Sequence, residues 1–340
     1  MAIVQHLIVD QYGSHIGKYS ERLRVTQKGE TLTQAPLLYL ESVTVLNRGV
    51  SISADALEAC CDRGIPVHFL SSQGTPYASL YAAGLTGTVI TRREQMRAFD
   101  DQRGTALGLA FAAGKIQNQS TTLRYLAKTR KDTLAGENLL QASTEVAEHQ
   151  ASLEKLKPER CIDDIRGQLL AIEGNAAKRY WQAVRAVVPE HYGWTAREGR
   201  GATDPINSLL NYGYGILYGE VERSLMQAGL DPYAGFVHVD RPGKPSLTLD
   251  LIEEFRQEAV DRVVFGLVNR RFVVEQDERG WLAEATKHQF TEHILGHLQT
   301  AVRHNGQKHP LQQVIQMQAR AVASFVRKDR QEYLPFKASW

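Results

Sequence analysis

The patterning of this chain changes once, near residue 91, and any fold it adopts has to accommodate that change. Before it, short runs rich in branched residues at 3–9, 22–26, 42–47 and 65–71 (IVQHLIV, RLRVT, SVTVLN, IPVHFLS) are separated by Gly, Pro, Asn and Ser. Such runs predict strands. One helix interrupts them: Ser53 can cap it, 54–62 fill it, and Gly64 ends it ahead of Pro66. The run 71–87 is the expected exit. From Arg92 to Ala186 the chain is rich in Ala, Leu, Gln, Glu, Lys and Arg with few turn signals, which predicts long helices. Pro and Gly cluster at 189–205, a loop expected at the mouth of a site. Helical patterning resumes at Pro205, where Asp204 can cap and Pro205 suits the first helical position. The predicted class is α+β: a small N-terminal β-sandwich-like domain (1–90), then a mainly α-helical domain (91–340).

Composition excludes several classes. With 340 residues there is length for two domains and a sizeable core. No window approaches the length of apolar sequence a membrane span needs, and the N-terminus lacks the pattern of a secretory signal. Cys60 and Cys61 are adjacent and Cys161 stands apart. That spacing offers neither a disulfide framework nor a CxxC site, and it fits a reducing cytoplasm. The net charge is only +2, yet Arg303, Lys308, Arg320, Arg327, Lys328, Arg330 and Lys337 face only Asp329 and Glu332 in their stretch. A patch of that kind can track phosphates; a solvated helix face is the alternative.

Two segments put acids on apolar sequence. In the first, 170–181 (LAIEGNAAKRYW), a helix aligns Glu173 with Leu169, Leu170, Ala176 and Ala177. The second runs from 235–238 (GFVH) to 246–256 (SLTLDLIEEFR), with Ser246 or Thr248 as a possible cap and Asp250 facing Glu253 and Glu254. Ionised carboxylates on apolar faces need a partner or a cation. One His among mostly oxygen donors suits Mg²⁺ or Mn²⁺, ions that commonly serve phosphate chemistry. Each feature also has an ordinary role: Glu173 in an ion pair with Arg166 or Lys178, His238 as a hydrogen-bonded core residue, the acids of 250–254 as complement to a helix dipole. Gly174, costly within a helix, suggests a close approach by backbone or ligand. Walker, GxGxxG and GxSxG motifs are absent, and Glu292-His293 with His297 reads as a solvated helix face lacking the general base of HExxH.

Taken in order, IEGNAA, 204–214 (DPINSLLNYGY), 228–238 (AGLDPYAGFVH), SL leading to DLIEEFR, and 318–320 (QAR) form a signature. On these the chain resembles the CRISPR-associated spacer integrases, metal-dependent DNA endonucleases of CRISPR adaptation and antiviral defence, over nearly its whole length. The resemblance implies that Glu173, His238 and Glu253 bind Mg²⁺ or Mn²⁺, with Asp250 a further catalytic-site carboxylate. Some relatives carry Asp at the position of Glu253. A DNA 3′-hydroxyl would then attack a phosphodiester, with Arg241, Lys244, Arg256, Arg320, Arg327 and Lys328 as candidate phosphate contacts. Tyr12, before Gly13 at a strand end, is similar to a tyrosine that some relatives wedge against a DNA fork; an ordinary strand-end Tyr is the alternative. Also implied are double-stranded and branched DNA as partners, a homodimer joined through the β domain, and a complex with a small ferredoxin-like CRISPR-associated protein. A stand-alone nuclease for branched DNA and a non-catalytic DNA scaffold are the rival readings.

Overall fold

The N-terminal part of the chain alternates side chains as strands do, and in the computed structural model, which describes residues 4–71, 76–80, 89–156, 161–199 and 201–339, it is built of strands. They are β1 (His6–Val9), β2 (Ser14–Tyr19), β3 (Arg22–Gln27), β4 (Glu30–Pro36), β5 (Ser42–Val45) and β6 (Ser51–Ile52), then helix α1 (Ala54–Asp62), β7 (Val67–Leu70) and β8 (Pro76–Leu80). Two four-stranded sheets result, ordered β1-β5-β7-β8 and β4-β3-β2-β6. In the first, β1, β5 and β7 run parallel. The second is an antiparallel β2–β3–β4 meander with β6 parallel to β2. Leu7, Ile16, Leu23, Val43 and Val67 from both sheets, with Ala56 and Cys60 of α1, share one apolar core, as a sandwich-like layer requires.

The four predicted runs are β1, β3, β5 and β7. The sequence does not predict the meander strands β2 and β4, because they lack a run of branched apolar residues: Ile16 alone is branched and apolar in β2, and β4 mixes Glu30, Thr31, Thr33 and Gln34 with a single buried Ala35. Ser53 does stand at the N-cap of α1, but its side chain makes no capping bond; Gly64, at φ +65°, supplies the expected stop. The expected exit at 71–87 lies largely outside the described residues.

After the strands come α2 (Val89–Phe99), α3 (Gln102–Lys128), α4 (Leu134–Glu154), α5 (Arg166–Arg185), α6 (Pro205–Gln227), α7 (Ser246–Ile252), α8 (Arg262–Asn269) and α9 (Glu284–Leu298), with one π-type turn at Gln257–Asp261. A hairpin, β9 (Ala301–His304) and β10 (Gln307–Pro310), leads into α10 (Leu311–Val326). Asp101, Thr133 and Asp204 cap α3, α4 and α6 by accepting from backbone N–H groups at 2.9, 3.1 and 2.9 Å. α7 departs from expectation: Pro245 is its N-cap, and the Ser246 hydroxyl leans back toward the carbonyl of Lys244 instead of capping. The 189–199 part of the Pro/Gly-rich loop is fixed by aromatics: Trp194 packs on Trp181 and Phe265, and the Tyr192 hydroxyl donates to the Phe272 carbonyl at 2.9 Å.

Backbone proximity divides the chain into two units. One gathers 1–85, 200–219 and 273–295; the other gathers 86–199, 220–272 and 296–340. Tyr12 belongs to the first, and all the other candidate site residues belong to the second. No helix among the described residues is long and apolar enough to cross a membrane.

Candidate active site

Helix α5 builds one wall of the site through a seven-residue spacing. Arg166, Glu173 and Tyr180 are two turns apart and so share a face. Arg166 Nη2 donates to the Phe236 carbonyl at 3.0 Å, fixing the segment that carries His238. The Tyr180 hydroxyl donates to Asp261 at 2.7 Å, tying α5 to the π-type turn. Between these anchors Glu173 meets Lys115 of α3.

Lys115 also stands 2.7 Å from Glu253 Oε2, just past the end of α7. One ammonium thus bridges two carboxylates brought from α5 and α7. At that distance the contact is charge-assisted, and the ammonium is the group that satisfies this buried oxygen. Arg256 Nη2 approaches the other oxygen at 3.3 Å. Burial alone would raise the Glu253 carboxyl, but the Arg256 guanidinium and the Lys115 ammonium, with His238 adding to them, hold it down at about 2. Burial likewise opposes the Lys115 charge, yet Glu253 and Glu173 hold that ammonium above its ordinary range.

Asp250 does not face Glu253 and Glu254 as predicted. Its Oδ2 accepts from the backbone N–H groups of Phe236 and Val237 at 2.6 and 3.0 Å, and its Oδ1 from that of His238 at 2.9 Å. The same Oδ1 lies 2.7 Å from His238 Nδ1. A carboxylate here can only accept, so Nδ1 carries a proton, and Nε2 is the nitrogen through which the neutral ring would ligate. Glu254 turns a third way. Its carboxylate accepts from the Tyr333 hydroxyl (2.6 Å), the Gln318 amide (2.9 Å) and the Phe336 N–H (2.7 Å), and burial raises it to about 7. The three acids diverge although the backbone keeps turning past Ile252, because each finds a different partner: backbone N–H groups for Asp250, Lys115 and Arg256 for Glu253, Tyr333 and Gln318 for Glu254. The acids of this segment are neutralised separately.

Among the described residues, no three His, Cys, Asp or Glu side chains are grouped closely enough to hold a metal ion as they stand. The donor set nevertheless fits a hard divalent ion: two carboxylates converge on one cation position, and an imidazole is turned by its carboxylate partner. Glu173 pairs with Lys115, and neither Arg166 nor Lys178 takes that place. A Cβ built on Gly174 meets no protein atom within 4 Å, so no other backbone makes the close approach there. His297 is not on a solvated face; its Nε2 donates to the Glu258 carbonyl at 2.9 Å.

Of the predicted phosphate contacts, Arg241 and Lys244 follow His238 in the loop before α7, Arg241 exposed and Lys244 half-buried. Arg320 is exposed on α10, and Lys328 is exposed beyond its end. Arg327 is engaged by Asp329 and by Thr91 Oγ1, at 2.8 Å each. Tyr12, 76 % exposed in the loop between β1 and β2, lies over Gly49.

The family model described as CRISPR associated protein Cas1 matches residues 7–295. The chain belongs to the Cas1 family. Among curated relatives, the CRISPR-associated endonuclease Cas1 1 of Archaeoglobus fulgidus is 36% identical over 347 residues, covering 98% of this chain and 99% of the relative. That of Francisella tularensis subsp. novicida is 32% identical, covering 99% and 100%. Among solved structures, a casposase bound to integration product superposes with a TM-score of 0.82 at 19% identity, covering 97% of this chain and 93% of the casposase. A Cas6-RT-Cas1–Cas2 complex does so at 0.78 and 20%, covering 100% and 37%. At these identities the solved structures speak for a Cas1 fold.

Sequence reasoning missed Lys115. The available signal was a single cation in 104–116 (GTALGLAFAAGKI), a run otherwise of small and apolar residues with one Thr. It also missed Asn118, one turn further along α3. The Asn118 amide donates to the carbonyls of Glu254 (2.8 Å) and Phe336 (3.0 Å) and accepts from the Ala338 N–H (2.8 Å). α3 therefore holds both the Glu253 carboxylate and the backbone beside it.

Proposed function

We propose that this Cas1-family chain is a metal-dependent DNA endonuclease and integrase that inserts new spacers into CRISPR arrays. The observation that carries this reading is the convergence of Glu173 and Glu253 on one cation position, beside a His238 whose ring is turned by Asp250. Glu173, Glu253 and His238 Nε2 would hold Mg²⁺ or Mn²⁺. When bound, the ion supplies charge stabilisation at the phosphodiester oxygens during attack by a DNA 3′-hydroxyl. Asp250 keeps the His238 proton on Nδ1 and the ring aimed. Arg256 stands beside Glu253, within reach of a phosphate brought to the site. Arg241 and Lys244 follow His238 in its loop, and Arg320, Arg327 and Lys328 would extend the basic surface along the DNA backbone.

The reading extends to partners: double-stranded and branched DNA, a second copy joined through the β domain where Tyr12 would meet the fork, and a small ferredoxin-like CRISPR-associated protein. Solved complexes that pair Cas1 with Cas2 support the last of these. The test of the core reading is Glu173→Ala. Lys115 keeps Glu253 as a partner, so the fold should survive, while cleavage of branched DNA and strand transfer in Mn²⁺ should fall by at least about 100-fold. Unchanged turnover would remove the assignment.

A further inference from the structure

Lys115 sits in the middle of the site and cannot be a metal ligand while protonated. Its side chain is 11% exposed, and its ammonium touches Glu173 and Glu253 together. A buried and a half-buried carboxylate facing each other need a positive charge between them, and a buried ammonium needs a negative one. This one group answers both needs in the metal-free protein. A divalent ion on the same carboxylates would face the ammonium at close range, where like charges repel strongly. The two cations require the same oxygens, so both cannot keep them. Lysine, with a compact charge on a flexible four-carbon stem, is suited to leave.

We propose that Lys115 is a built-in stand-in for the divalent cation: it holds Glu173 and Glu253 in place without metal and moves off them when the ion arrives, so that metal uptake is an exchange of cations. This rests on the reading that Glu173 and Glu253 hold the ion. Lys115 is then a positioning residue that keeps the site formed and restricts occupancy to ions that outcompete an ammonium.

The test uses the full chain and Mn²⁺ alone. Binding is followed by electron paramagnetic resonance in the wild type, Glu173→Gln, Lys115→Met and Lys115→Arg. Lys115→Met should bind Mn²⁺ at least about tenfold more tightly than wild type, a change of about 1.4 kcal/mol. Lys115→Arg, which keeps the charge, should stay near wild type. A purely structural role would not tighten metal binding. Should Lys115→Met fail to fold in chelator, the wild type still decides. Lys115 should resist acetylation in EDTA and react at least about tenfold faster with saturating Mn²⁺, the scale of the same free-energy change. If Glu173→Gln leaves Mn²⁺ binding intact, the metal assignment itself falls. Binding that does depend on Glu173, with Lys115 equally protected in both conditions or with Lys115→Met no tighter, overturns the exchange alone.

Discussion

Both oxygens of Asp250 are occupied, by three backbone N–H groups and the His238 ring. It is 1% exposed, and its work is to shape the 236–238 turn and to fix one tautomer. Asp250→Asn keeps the shape but presents only one accepting oxygen, so a donor meets a donor somewhere in the cluster. Strand transfer should fall by about 10–100-fold, the usual effect of removing a carboxylate behind a ligating His. Stability should fall by about 1–3 kcal/mol. Denaturant unfolding and a strand-transfer assay read the two, and an Asn variant with wild-type rate would leave Asp250 a purely structural role. Glu173, His238 and the acids of 250–254 were legible because charged groups are conspicuous in apolar sequence. Where those acids point was not legible, since it depends on partners distant in sequence: Lys115 for Glu253 and Tyr333 for Glu254. Lys115 was silent because a lysine reads as surface until its partner, 58 residues away for Glu173, is in place.

At the scale of elements, the segment carrying His238 lies against the start of α7 so closely that only glycine fits at 235. A Cβ there would come within 2.6 Å of the Ser246 backbone and 2.8 Å of the Leu247 nitrogen. Gly235→Ala should therefore push the segment off α7 and displace His238. A shift on the order of 1 Å at a reacting group costs on the order of 10² in rate. The expected result is a folded protein by circular dichroism with that loss of strand transfer; full activity would mean that the segment has slack. The long helices were readable from composition and their caps, most clearly Asp204. The β2 and β4 strands of the meander escaped because they lack a run of branched apolar residues. The β9–β10 hairpin sits inside otherwise helical sequence, yet Asn305-Gly306 was a hairpin signal: both residues have positive φ, +49° and +79°, as a tight type I′ connection demands.

For the molecule as a whole, charge and copy number decide how DNA is handled. Arg327 is already engaged by Asp329 and Thr91, whereas Arg320 and Lys328 are exposed. Reversing Arg320 and Lys328 to Glu should weaken binding to unrelated duplexes by similar factors. For each phosphate that is no longer neutralised, the salt-dependence slope should fall by about 1. A defect confined to one sequence would identify base readers. One chain carries one candidate site, but joining both ends of a segment requires two strand transfers separated by its length at about 3.4 Å per base pair. Light scattering should give a dimer. Integration at both ends of a segment into a supercoiled CRISPR plasmid should require the small partner protein. Efficient two-ended integration by this chain alone would refute the bridging role.

The Asn118 side chain also gives the site a timetable. One of its partners, the Ala338 N–H, lies 220 residues further along the chain. At about 5–20 residues per second, a ribosome needs on the order of ten to forty seconds to cover that distance. Until then the clasp over Glu254 cannot close, although α3, α5 and Glu253 already exist. A growing chain therefore carries the parts of a nuclease before it carries a finished one.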